Sequence, residues 1–175
     1  MKLSPAECTS PSQRAPVASD LDAELERLYA QRVAVPRVRA GLTGSRATLR
    51  SYCAQVFKQA GVWDRLEKSV RAAEFTFPGD PMRLDFAYRR NGTRGFVQTL
   101  SVTRAPGDSK LLAYTTQRVR EKAALTEFAC VTDVALSTDN GRHRFVRDTL
   151  RDVSIETVPR DGFAVWVAKL RPALR

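Results

Sequence analysis

Hydrophobic positions along the chain switch between two periods. From 46 to 61, Leu49, Tyr52, Cys53, Val56, Phe57 and Ala60 recur at steps of three and four, which is one face of a helix, and Gly61 marks its end. Trp63, Leu66 and Val70 keep that spacing and predict a second helix, or the same one after a bend. From Glu74 the period becomes two. Glu74 to Phe77 reads as a short strand and Gly79-Asp80-Pro81 as a turn. From 82 to 90, Met82, Leu84, Phe86 and Tyr88 alternate with Arg83, Asp85, Ala87 and Arg89. Asn91-Gly92 predicts a two-residue hairpin turn, because both central residues of a type I′ turn need positive φ, and 94 to 103 should run back antiparallel.

The second half alternates helix and strand. Pro106-Gly107 precedes a helix over 109–124 with Leu111, Leu112, Thr115 and Val119 inward, followed by a strand over 128–136 and a turn at Asp139-Asn140-Gly141. Residues 142–152 read as a basic helix with Phe145, Thr149, Leu150 and Val153 inward, 153–158 as a strand and 162–170 as a helix. Strands separated by helices pair in parallel through right-handed crossovers. The expected fold is therefore α/β: a mixed sheet, an antiparallel three-stranded meander followed by parallel strands, with helices on both faces.

Ahead of this lie residues 1–18, with three prolines and no regular period, which read as a disordered arm. Ser19 and Asp22 then open a short amphipathic helix carrying Leu21, Leu25, Leu28 and Tyr29 until Pro36. The expected organisation is an arm at 1–18 and a single α/β domain at 19–175. Within that domain, 19–45 is a helix and basic linker, 46–136 the core and 137–175 a C-terminal extension.

With 43% hydrophobic and 27% charged residues, wholesale disorder and collagen-like fibre are excluded. No apolar run approaches the roughly 18 residues that span a bilayer. The opening MKLSPAECTSPSQR has no secretory apolar stretch, so a cytoplasmic protein without a membrane partner is expected. Three cysteines without Cys-x-x-Cys spacing and one histidine argue against a Cys/His zinc site.

Charge changes the picture most. The 29 basic residues against 19 acidic ones give +10, and 23 of the 29 are arginine, whose planar fork suits phosphate and carboxylate. A GC-rich genome yields the same arginine bias, so a merely basic surface stays open beside a polyanionic partner. The carboxylate-free stretch from Gln31 to Trp63, with Arg37, Arg39, Arg46 and Arg50, is one candidate phosphate-contact surface. The helix carrying Arg142, Arg144, Arg147 and Arg151 is the other, unless Asp148 and Asp152 make it an ordinary solvated face.

A leading helix, a three-stranded meander, a helix and a further strand, with Asp85 in Arg83-Leu84-Asp85-Phe86 and Gln98 in Val97-Gln98-Thr99-Leu100, resembles the restriction-endonuclease-like PD-(D/E)xK superfamily over about 46–136. The resemblance implies an aspartate on the second strand and a Glu/Gln-x-Lys on the third that bind Mg²⁺ and activate water for phosphodiester hydrolysis. Asp85 and Gln98 match those positions. Leu100 stands where the lysine belongs, so the motif is degenerate. Lys110 on the next helix is a candidate replacement cation, and Glu74 a candidate second metal ligand beside Asp85. Otherwise Asp85 pairs with Arg83, Arg89 or Arg94, Gln98 is a buried amide bonded to backbone, and Lys110 is solvated.

Other chemistry has less support. His143 lies between Arg142 and Arg144 with no adjacent carboxylate, Pro106 to Lys110 lacks the glycines of a P-loop, and Cys130, Trp63 and Trp166 read as core. The expected function is nucleic-acid binding on a nuclease-like scaffold without catalysis and without a cofactor. A module binding an acidic protein is the alternative, and an active Mg²⁺-dependent phosphodiester hydrolase the second alternative.

Overall fold

The computed structural model describes residues 45–174. The arm, the helix expected before Pro36, Arg37 and Arg39 lie outside the described residues. The expected α/β architecture is present: a five-stranded mixed sheet in the order β1-β2-β3-β4-β5, in which β1, β2 and β3 pair antiparallel and β3, β4 and β5 pair parallel.

Helix α1, Arg46–Gln59, begins where the Ser45 side chain accepts the Thr48 N–H, and it buries Leu49, Cys53, Val56 and Phe57. After it the chain departs from expectation. Trp63–Arg65 is a single 3₁₀ turn, and β1 follows at Glu67–Arg71, not a second helix. The reason is that β1 is an edge strand. Only Val70 of its five residues is buried, and Lys68 lies over the Trp63 ring at 4.8 Å, so the strand shows no alternation to be read. The strand expected at 74–77 is absent: Ala72–Glu74 forms a 3₁₀ turn, Phe75 and Thr76 are buried in succession, and Phe77 is exposed.

Strand β2, Arg83–Arg90, turns at Asn91-Gly92 into β3, Thr93–Leu100. Asn91 and Gly92 have φ of 48° and 81°, and Arg90 pairs with Thr93 across the turn. Gly92→Val places a β-branched residue at positive φ, which should cost about 1–2 kcal/mol. The urea unfolding midpoint checks this, and an unchanged midpoint would count against the turn.

Helix α2, Asp108–Lys122, leads to β4, Thr126–Thr132. Helix α3, Gly141–Asp152, leads to β5, Glu156–Pro159, and α4 is Phe163–Leu170. One apolar cluster joins α1 and α4 residues, among them Phe57 and Phe163, to Phe86, Tyr88 and Val97 of the sheet. The other joins Leu112 and Val119 of α2 and Val146 and Leu150 of α3 to Leu84, Ala87, Phe96 and Leu100. The sheet thus has helices on both faces. Two inward assignments were wrong: Leu111 and Phe145 are exposed, while Ala113 and Val146 are buried.

Candidate functional site

Residue alternation in β2 breaks at Asp85. Leu84 and Ala87, three apart, share the α2/α3 cluster, while Phe86 and Tyr88 share the α1/α4 cluster. Strand pairing lapses at the same point. The β1–β2 register skips from Lys68↔Phe86 to Val70↔Leu84, with the intervening Ser69 at φ 53°, and the β2–β3 pairs begin only at Phe86↔Val97. A non-glycine residue at positive φ costs on the order of 1 kcal/mol, so surrounding contacts must hold Ser69 there.

Those contacts are polar. The Gln98 side chain substitutes for the missing strand bond, its Oε1 accepting the Asp85 N–H at 2.9 Å while its Nε2 lies 3.5 Å from the Arg83 carbonyl. The Asp85 carboxylate, only 5% accessible, has both oxygens engaged. Oδ1 accepts from Arg46 Nη2 at 3.0 Å and lies 3.2 Å from Arg50 Nε, an ion pair without hydrogen-bond alignment. Oδ2 accepts from the Thr99 N–H at 2.9 Å and from Thr99 Oγ1 at 2.6 Å.

Arg46 also donates through Nε to the Thr99 carbonyl at 3.1 Å, and Arg50 Nη2 donates to Ser69 Oγ at 2.6 Å. Arg83 Nη1 donates to the Ser69 carbonyl at 3.3 Å. Ser69 therefore fixes two arginines. The three guanidinium groups border an open hollow of about 680 Å³ that Asp80, Asp85, Asp108, Met82 and Leu111 also line. Its formal charges balance, but the solvent side of the hollow presents three arginines against only exposed Asp108 and half-buried Asp80. Asp85 is buried, whereas the Arg46 and Arg50 side chains are 45% and 43% accessible and Arg83 is exposed. Hydrogen bonds from Thr76 Oγ1 and then the Met82 N–H hold the Asp80 carboxyl below the usual carboxylate range.

The structure separates residues that the sequence reading brought together. Lys110 does not border the hollow; its Nζ lies over the exposed Phe145 ring at 5.5 Å, because its place on α2 turns it toward α3. Glu74 is in the 3₁₀ turn and faces Arg94 Nη1 at 4.0 Å, not Asp85. Leu100 is buried in the apolar cluster with Leu84 and Leu112. None of Arg83, Arg89 and Arg94 pairs with Asp85, since Arg89 and Arg94 both take Glu67. On α3, Arg147 and Arg151 share Asp148 Oδ1 at 3.4 and 3.3 Å, whereas Arg142 and Arg144 are exposed and make no ion pair among the described residues.

Thr99, Ser69 and Arg83 were missed as site residues. For Thr99 a signal existed, since strand alternation puts it on the face opposite Gln98, toward α1. Ser69 left none. Elsewhere, burial above all, and secondarily the Asp85 charge, push the Cys53 thiol up to about 12; burial raises Cys130 as well, so both remain protonated core residues. His143 Nδ1 accepts the Ser137 N–H at 3.2 Å, which commits one ring nitrogen to the loop before α3. Among the described residues no three His, Cys, Asp or Glu side chains gather as a metal-holding group, and no helix is long and apolar enough to cross a membrane. Comparison with family models, with curated proteins and with solved structures finds no match.

Proposed function

We propose that this chain is a nucleic-acid-binding protein on a restriction-endonuclease-like scaffold, holding phosphate at Arg46, Arg50 and Arg83 and catalysing no hydrolysis. One observation carries the reading. The aspartate that would ligate Mg²⁺ in that family is spent as the buried counter-ion of two half-exposed guanidinium groups. Anchored from behind, the forks lose less conformational freedom when they meet a phosphate than free side chains would.

The donor set does not suit Mg²⁺, which needs oxygen ligands with free lone pairs and room for several waters. Both Asp85 oxygens are taken, Gln98 Oε1 is bonded to backbone, and Glu74 and Lys110 lie elsewhere. The cation beside Asp85 comes from α1 and not from α2. A guanidinium there offers only donors and no acceptor, and so cannot serve as a general base.

Phosphate binding through several arginines makes affinity fall log-linearly with salt. Fluorescence anisotropy with labelled DNA and RNA should show that slope, and Arg83→Gln, which among the described residues disturbs one side-chain bond, to the Ser69 carbonyl, should flatten it by about 0.7–0.9 for its lost contact. Incubation of plasmid, single-stranded DNA and RNA with Mg²⁺ or Mn²⁺ should give no cleavage above background. Cleavage abolished by Asp85→Ala would overturn the non-catalytic reading, and no binding at low salt would turn the assignment toward an acidic protein partner.

A further inference from the structure

Single exposed apolar side chains are ordinary on a protein surface, whereas a contiguous exposed group of them is informative. Phe77 is 59% exposed and Tyr114 is 45% exposed, and the Arg118 guanidinium lies over both rings, 5.8 and 5.3 Å from their centroids. The arrangement is fixed from several directions. Arg118 Nε donates to the Tyr114 hydroxyl at 3.3 Å and Nη1 to Glu121 Oε2 at 2.8 Å. The loop that carries Phe77 is fastened to α2 by Lys122 Nζ, which donates to the Thr76 carbonyl at 2.8 Å, and by Thr115 Oγ1 against Met82 Sδ at 2.9 Å. These rings are exposed on a braced surface.

The same two elements reach the arginine hollow. Asp80, Pro81 and Met82 line it from the Phe77 loop, and exposed Leu111, one turn before Tyr114 on α2, lines it from the helix. The surface that the loop and α2 form together thus carries the rings and also borders the hollow. We propose that this surface binds single-stranded nucleic acid, with unpaired bases stacking on Phe77 and Tyr114 while the adjoining phosphates sit at Arg46, Arg50 and Arg83. The inference rests on the nucleic-acid reading above and adds the strand state. In a duplex the base faces are stacked on one another and unavailable, so a ligand that uses aromatic platforms beside a phosphate site must present unpaired bases. Arg118 shares its charge with Glu121, but exposed Lys122, held at the Thr76 carbonyl beside Phe77, keeps the platform cationic, which favours a nucleobase attached to an anionic backbone over an apolar protein segment.

The test is anisotropy with labelled oligothymidylate, a duplex of equal length, and unlabelled polyphosphate as competitor. The parent should prefer the single strand. Phe77→Ala and Tyr114→Ala should each weaken oligothymidylate binding about tenfold, Tyr114→Phe should retain most of it, and polyphosphate affinity should stay unchanged in all three. Equal binding of duplex and single strand, with the ring variants like the parent and Arg83→Gln still flattening the salt slope, would overturn the strand-state inference and leave the nucleic-acid reading standing. No binding to any of the nucleic acids at low salt would overturn both.

Discussion

Asp85→Ala should lower the melting temperature by roughly 10 °C or more, the reverse of what removing a carboxylate held only for catalysis would do. The substitution strips the acceptor from three donors, Arg46 Nη2 and the Thr99 N–H and hydroxyl, and the counter-ion from Arg50 Nε. The arginine heads are nearly half exposed and can turn to water, so their share is discounted from the 3–5 kcal/mol typical of breaking a fully buried pair. Thr99 has no such escape. It is 1% exposed, and a buried donor without a partner costs about 1–3 kcal/mol. The sum is about 3 kcal/mol, which at some 4 °C per kcal/mol for a domain of this size gives the stated shift. Asp85→Asn keeps one carbonyl acceptor but turns an NH₂ toward donors on the other side, so its loss should be intermediate. Thermal unfolding followed by circular dichroism checks both, and a melting temperature equal to or above the parent's would remove the anchoring role on which the functional reading depends.

The dependence of this site on contacts distant in sequence explains why so little of it was legible beforehand. Arg46 and Arg50 stood out as a basic stretch because no carboxylate lies near them in the chain, yet their counter-ion comes from β2, 39 residues beyond Arg46. Local charge counting finds ion pairs only where partners are neighbours, as on α3, where Asp148 visibly lies between Arg147 and Arg151. Asp85 and Gln98 were located on the correct strands, but their side chains were expected to converge. The break in alternation at Asp85 sends the carboxylate to Thr99 instead, while Gln98 closes a backbone gap. A local defect in a strand leaves no periodic signal, because a period is read from the residues on either side.

The scaffold was more legible than the site for a related reason. Helix α1, the β2–β3 hairpin and the alternation of α2, β4, α3 and β5 each bury a face of their own, and burial of a face imposes a period on the sequence. Strand β1 buries one residue and Phe77 none, so edge and loop went unread. The elements hardest to read, β1 with Ser69 and the segment after Phe77, supply part of the rim of the hollow, and the legible α1, β2, β3 and α2 supply the rest.

Gly95→Ala, one methyl added inside the sheet, is the second change with a large expected effect. Gly95 faces Tyr88 across the β2–β3 pair, and a Cβ on Gly95 would fall less than 3.0 Å from Tyr88 Cζ, Cε1 and Cε2, closer than real Cβ atoms come. The ring cannot simply swing aside. Tyr88 is 3% exposed, packs edge-on to Trp166 at 6.3 Å, and donates its hydroxyl to Glu127 Oε1 at 2.8 Å. Burial, then the hydrogen bond to Glu127, raise the phenol far above its ordinary value, so it remains a donor at any workable pH. Overpacking of this kind costs about 1–3 kcal/mol, and displacing the hydroxyl forfeits about 1 kcal/mol more. A loss of about 2–4 kcal/mol by urea unfolding is expected. The cause is isolated by a double-mutant cycle: Tyr88→Ala is itself destabilising, but in that background Gly95→Ala should cost less than about 1 kcal/mol, because the ring it strikes is gone. Equal costs in both backgrounds would mean that the strand rejects any side chain at 95, and the glycine would then be explained by the backbone and not by the tyrosine laid across it.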